Sequence, residues 1–236
     1  MGMVTTEVSG PVLVVRVDDG KANALTRQAI GEIIAAVERA EADDGIRAIA
    51  LLGRPGRFSG GFDLSVMRGG DIGAISALVS DGGDLVRRLY GASVPVVAGC
   101  TGHAVAAGAL VLLGCDVRIG ADVECKIGLN EVAIGLVLPE WAFTIAEARL
   151  DRSALQGAVV AAQLTGPAGA VRAGYLDEVV PADELEAATL ARAASLAELH
   201  PAAYRLTLRR LRAGVLDTLA AQVEADRSGG AVPGVD

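Results

Sequence analysis

Two glycine-bearing stretches each follow a short apolar run: Arg57-Phe58-Ser59-Gly60-Gly61-Phe62-Asp63-Leu64 and Cys100-Thr101-Gly102-His103-Ala104-Val105-Ala106-Ala107-Gly108-Ala109-Leu110. Loops of this kind expose backbone N–H groups. Two such groups converging on one point form an oxyanion hole, and a helix N-terminus adds its dipole to the field there. Small side chains let a ligand approach the backbone. Spacing alone is equally met by ordinary turns and a tightly packed helix in a chain with 30 glycines. A third feature is Glu131, the one charged residue between Ile127 and Pro139. A carboxyl buried in apolar surroundings titrates upward and can carry protons; the same sequence also suits a structural hydrogen-bonding group.

Other chemistries lose their usual signals. GxGxxG after a strand, GxxxxGK[ST], GxSxG, HExxH and paired CxxC are all missing from the sequence. Twenty-one Lys and Arg against 29 Asp and Glu give a net charge of −8 with no basic stripe, which disfavours nucleic acid. Three cysteines (Cys100, Cys115, Cys125) and two histidines (His103, His200) suggest neither a disulfide framework nor a metal site. No basic segment followed by an apolar run opens the chain, so the expected compartment is the cytoplasm. From Leu89 to Cys115 there is no charged residue, but Pro95, Gly99, Gly102, His103 and Gly108 suit a strand, a glycine loop and a short buried helix better than a membrane span.

With 52% hydrophobic residues the chain can bury a sizeable core. Strands are expected at Val12–Val17, Ile46–Leu52, Val94–Ala98, Val117–Ile119 and Glu124–Ile127, with a helix from Thr26, a plausible N-cap, to about Ala40. Arg54–Gly61 reads as a Gly/Pro loop. This is an α/β pattern with a buried sheet. Beyond Pro139 only helices are expected: Glu140–Leu150, Ser153–Gln163, Gly169–Ala173, Asp183–Leu199, Pro201–Ala213 and Leu216–Asp226, with a frayed end at Ser228–Asp236.

Phe58-Ser59-Gly60-Gly61-Phe62-Asp63-Leu64 resembles the FxxGxDL loop of the crotonase, or enoyl-CoA hydratase/isomerase, superfamily. Pro95–Gly99, Gly102-His103-Ala104 running into Ala106-Ala107-Gly108, Cys115–Arg118, Leu164-Thr165-Gly166 and Ala173–Val180 match further segments in the right order. The resemblance implies a crotonase-like spiral of ββα units over residues 1–180 and a helical trimerisation region over 181–236. It also implies a homotrimer or dimer of trimers, with an acyl-CoA thioester as substrate and no resident cofactor or metal. The C-terminal stretch after about His200 matches the family's tail poorly.

Carried over position by position, the oxyanion donors would be the N–H groups of Phe62 and Ala107, and Glu131 the acid and base. Lys21, Ala22, Asp63 and Leu64 resemble the CoA-contacting segments, although Lys21 also reads as a solvated loop lysine. Hydratases of the family carry a second glutamate one turn past the oxyanion glycine; here that position is Leu110, which shares a helix face with Ala107. Leucine can neither activate water nor protonate carbon. Gly128-Leu129-Asn130-Glu131 is similar to 3,2-trans-enoyl-CoA isomerases, as is Gly135–Trp141. The expected reaction is therefore movement of a double bond from 3-enoyl-CoA to 2-trans-enoyl-CoA; the alternatives are a hydratase using Glu131 with Glu140, and a non-catalytic CoA-thioester binder. Glu140 also reads as a first-turn glutamate favoured by the helix dipole. Trp141 and Phe143 read as core or acyl-pocket lining, His103 as a packed loop residue and Asp116 as a structural carboxylate.

Overall fold

The computed structural model of the chain describes residues 2–228. Strands β1 (Val4–Ser9) and β2 (Val12–Val17) form an antiparallel hairpin that turns at Gly10, whose φ of +56° favours glycine. After a short strand β3 (Ala24–Leu25), helix α1 (Arg27–Ala42) starts where Thr26 accepts the Ala29 N–H, as its sequence implies. Strand β4 (Ala48–Leu52) follows, then β5 (Gly56–Ser59), β6 (Gly61–Phe62), the single turn α2 (Leu64–Met67) and the long helix α3 (Ile72–Tyr90). Next come β7 (Val96–Cys100), β8 (Gly102–Val105), helix α4 (Ala107–Gly114), β9 (Val117–Ala121) and β10 (Ile127–Gly128). The chain continues through α5 (Glu140–Arg149), α6 (Pro167–Ala173), β11 (Glu178–Val180), α7 (Leu185–Ala197) and α8 (Pro201–Arg227).

The main sheet runs β1-β2-β4-β7-β9-β11 and is parallel beyond the hairpin. β4 and β7 are buried at every residue, as strands covered on both faces must be. Period-two alternation deals their side chains to two cores. Leu13, Val15, Ile49 and Leu51 join a large core with α1, α3, α4 and α5; Val12, Val14, Ala48 and Ala50 join a smaller one under α7. A second sheet, β10-β8-β5, and the pair β3-β6 stand beside this body and carry the glycine loops.

Several expectations need correction. Arg54–Gly61 is not only loop: β5 and the start of β6 lie in it, because Gly102 lets β5 pack so closely on β8 that any Cβ there would strike the Gly56 carbonyl. The second strand after β9 lies at Ile127–Gly128, later than Glu124–Ile127. Helices are not alone beyond Pro139, since Glu178–Val180 completes the sheet edge beside β9. Ser153–Gln163 contracts to a π-helical turn at Gln156–Val160. Pro201–Ala213 and Leu216–Asp226 are one helix, because Gly214 sits in an open stretch and its carbonyl accepts the Thr218 hydroxyl. Of the expected frayed end, 229–236 lie outside the described residues.

Helix α7 packs across β2, β4, β7 and β9, whereas α8 lies along α3 and α5. Asp116 ties the start of α8 to the sheet: it accepts the Val96 N–H at 2.7 Å, the Tyr204 hydroxyl at 3.0 Å and Arg212 at 2.8 Å. That is the structural carboxylate its sequence suggests. Among the described residues no helix is long and apolar enough to cross a membrane.

Candidate active site

The two glycine loops meet. Helix α4 is buried on every side, and its Gly108 lies against β5, where an added Cβ would come within 2.5 Å of the Ser59 carbonyl oxygen. Gly61 abuts the residue pair before and at the helix start: a Cβ there would sit 3.0 Å from the Ala106 methyl and 3.4 Å from the Ala107 nitrogen. Ala106 itself has φ 55° and ψ −128°, a left-handed conformation that costs an alanine about 1–3 kcal/mol and is held by its surroundings. It caps α4 with no side-chain hydrogen bond, so the Ala107 N–H, first in the helix, has no intrahelical acceptor. In the β3-β6 ladder the Asp63 N–H donates to the Leu25 carbonyl at 3.2 Å; alternation then turns the Phe62 N–H to the opposite side.

Glu131 comes to the same place through β10. Pairing of Ile127 with Ala104 and Gly128 with Val105, together with the Ala106 N–H to Gly128 carbonyl bond at 3.0 Å, sets the 128–131 segment beside the α4 start. The Glu131 carbonyl accepts the N–H groups of Ile134 (3.0 Å) and Leu136 (2.9 Å), closing a 3₁₀ turn at Val132–Ile134. Its Oε2 is buried with no hydrogen-bond partner among the described residues. Burial pushes the carboxyl up to about 7, against the smaller opposing pull of the Glu131 and Asn130 N–H groups. Beneath it Tyr175 is fully buried, and its hydroxyl is held well above the ordinary phenol range by burial and by the Glu131 charge.

A cavity of about 170 Å³ joins these parts. Phe62, Leu64, Leu110, Glu131 and Trp141 line it together, and Ala106 presents the α4 start. Its remaining wall is mostly apolar; Asn130 and Arg68 supply its other polar groups. Among the described residues Glu131 is the one carboxylate in that lining. A proton-accepting group beside a helix start and an apolar space is an arrangement that can abstract and return a proton next to a carbonyl oxygen.

The family model for enoyl-CoA hydratase/isomerase matches residues 7–229. The chain belongs to the enoyl-CoA hydratase/isomerase family. A crystal structure of an enoyl-CoA hydratase/isomerase family protein from Pseudomonas syringae superposes with a TM-score of 0.92 at 38% identity, covering 97% of this chain and 98% of the other. A human protein named enoyl-CoA delta isomerase 1, mitochondrial, is 30% identical over 226 residues, 95% of this chain and 75% of the human one. A putative enoyl-CoA hydratase of Thermus thermophilus is 29% identical over 219 residues, 89% of this chain and 84% of that protein.

Other residues marked in this family member's sequence lie outside the cavity wall. Lys21 and Ala22 are exposed in a loop that Asp19 organises, accepting the N–H groups of Lys21, Asn23 and Ala24 at 2.7–2.9 Å. That loop rests on the β5-β6 turn, where the Gly60 N–H donates to the Ala22 carbonyl at 2.8 Å. Asp63 caps α2, accepting the Ser65 N–H and hydroxyl. Glu140 is exposed in the first turn of α5. His103 Nδ1 accepts the Lys126 N–H at 3.2 Å, consistent with a packed loop residue. Sequence reading missed Val79 of α3 and the Ile134–Val137 rim, which only tertiary packing brings to the cavity.

Proposed function

We propose that the chain isomerises 3-enoyl-CoA to 2-trans-enoyl-CoA. The observation that carries this reading is the solitary carboxyl: Glu131 faces a cavity in which the position of a hydratase's second glutamate is the fully buried Leu110. The Glu131 carboxylate takes a proton from C2, and the C2–H electrons pass into the thioester. The N–H groups of Phe62 and Ala107 hold the resulting dienolate oxygen, each contributing roughly 10²-fold in rate or more. As the electrons return, the 3,4 double bond becomes 2,3 and protonated Glu131 delivers the proton to C4. No water is consumed. An acid near pH 7 suits both halves of this shuttle, since it neither holds nor releases the proton too strongly.

The test is spectrophotometric. Conversion of 3-enoyl-CoA to the conjugated 2-enoyl thioester is expected, with slow hydration of 2-enoyl-CoA. Glu131→Gln should abolish isomerisation while saturated acyl-CoA still binds. Rapid hydration of 2-enoyl-CoA by the unaltered protein, lost in Glu131→Gln, would overturn this reading in favour of a hydratase using Glu131, and rapid hydration that survives Glu131→Gln would remove Glu131 from the chemistry; tight binding with no turnover of either thioester would make the protein a binder.

A further inference from the structure

The cavity has one wall set deep in the core. Trp141 lines it yet is fully buried, so the indole is wall and not rim. Behind the indole, Gly83 of α3 and Val223 of α8 close the seam between those helices. Helix interiors disfavour glycine, but α3 carries Gly82 and Gly83 in succession at buried positions. Each has a physical reason. A Cβ on Gly82 would strike the Phe62 ring; a Cβ on Gly83 would lie 2.9 Å from Trp141 Nε1, 3.0 Å from its Cδ1 and 2.8 Å from Val223 Cγ2. One glycine thus sets the residue whose N–H faces the thioester end, and the next sets how far back the indole sits. The Nε1 has no hydrogen-bond partner among the described residues, so packing alone fixes the ring.

We infer that Trp141, seated on Gly83, is the end-stop of the acyl chain and limits the length of chain that the cavity accepts. This rests on the acyl-CoA reading above and adds the limit on chain length. Each methylene buried before the stop should tighten binding about fourfold, and methylenes beyond it should add nothing. Gly83→Ala moves the indole into the cavity and shortens the accepted chain. Trp141→Leu removes the far ring and lengthens it.

Calorimetric dissociation constants for saturated thioesters from butanoyl- to hexadecanoyl-CoA read this directly. The expected result is a rise and then a plateau for the unaltered protein, a plateau at least two carbons longer in Trp141→Leu, and a shorter one in Gly83→Ala. Saturated thioesters are not turned over, so the profile stands or falls apart from isomerase activity. Affinity rising through hexadecanoyl-CoA, or a plateau unmoved in both variants with native circular dichroism, would overturn the proposal. If Trp141→Leu does not fold, Trp141→Phe and Gly83→Ala decide it by the same measurement.

Discussion

The two walls of the cavity are built differently. On one side the α4 start and the β5-β6 turn are locked by glycines packed tightly against neighbouring groups, and Ala106 is held in a strained conformation. On the other, Glu131 hangs from a 3₁₀ turn whose Val132 and Ile134, like the nearby Val137, are roughly half exposed. The N–H groups are fixed by the fold, whereas the carboxyl is carried by a loop over an apolar rim. A shuttle between C2 and C4 needs this division: the oxygen must stay put while the acid reaches two carbons.

Removing the carboxyl on the loop side should have the largest effect. Glu131→Gln is expected to lower isomerisation by roughly 10³-fold or more, within or above the usual range for a general base, leaving the affinity for saturated acyl-CoA within about twofold. In the unaltered protein the rate should rise with pH and level off above about 7, where the carboxyl is ionised. A flat profile from pH 5 to 9 would assign the proton to another group.

The fixed wall is broken by Gly61→Ala. The φ of +89° there is unfavourable for alanine, and the new methyl would press on Ala106 and the Val105 carbonyl. Displacing the Phe62 N–H should cost roughly 10²-fold in kcat, with KM less affected. An unchanged kcat in a folded variant would remove Phe62 from the proposed mechanism.

Stability sharpens the contrast, since only the loop side titrates. Glu131 binds its proton more tightly in the folded chain than in the unfolded one. The associated stability is complete below about pH 4.5 and is lost as pH rises through about 7. A shift from 4.5 to about 7 corresponds to about 3 kcal/mol. Urea unfolding should therefore find Glu131→Gln more stable than the unaltered protein by about that amount at pH 8 and indistinguishable near pH 4. Equal stability at both values would mean that the carboxyl is not buried as drawn.

The two walls were also unequally legible in the sequence. Apolar runs and periodicity placed β2, α1 and α4, and the uncharged surround of Glu131 pointed to a buried carboxyl because burial leaves a compositional trace. Helix α3 left none: Gly73, Gly82 and Gly83 dilute its helical pattern, and the reason for Gly82 and Gly83 is contact with Phe62 and Trp141, which lie elsewhere in the chain. Likewise the glycines of 54–61 read as a loop, although Gly60 and Gly61 lie hard against Ala22 and against Val105 and Ala106. Ala106 shows nothing in its type of the strain that its position imposes. Local chemistry was readable, whereas close approach between distant segments was not.

Leu110→Glu tests whether the fixed wall can host a second acid. It places a carboxyl on the α4 face beside Ala107 and should raise hydration of 2-enoyl-CoA by roughly tenfold while isomerisation falls. Because Leu110 is fully buried among core residues, folding must be verified by thermal unfolding; a folded variant with no gain would show that the water site lies elsewhere.

The smallest effect is expected at Glu140. The sequence allows it to be a second acid or a first-turn glutamate, and the structure puts it on the exposed start of α5, outside the cavity lining. There it interacts favourably with the helix dipole, worth about 0.3–1 kcal/mol. It also stands near Asp226 at the end of α8, whose carboxyl is raised by burial and then by the Glu140 charge. Neutralising Glu140 removes the favourable and the repulsive contribution together, so Glu140→Gln should change stability by less than about 0.5 kcal/mol and both thioester reactions by less than about twofold. A tenfold loss of hydration in this variant, with isomerisation retained, would make Glu140 the second acid and return the chain to the hydratase side of its family.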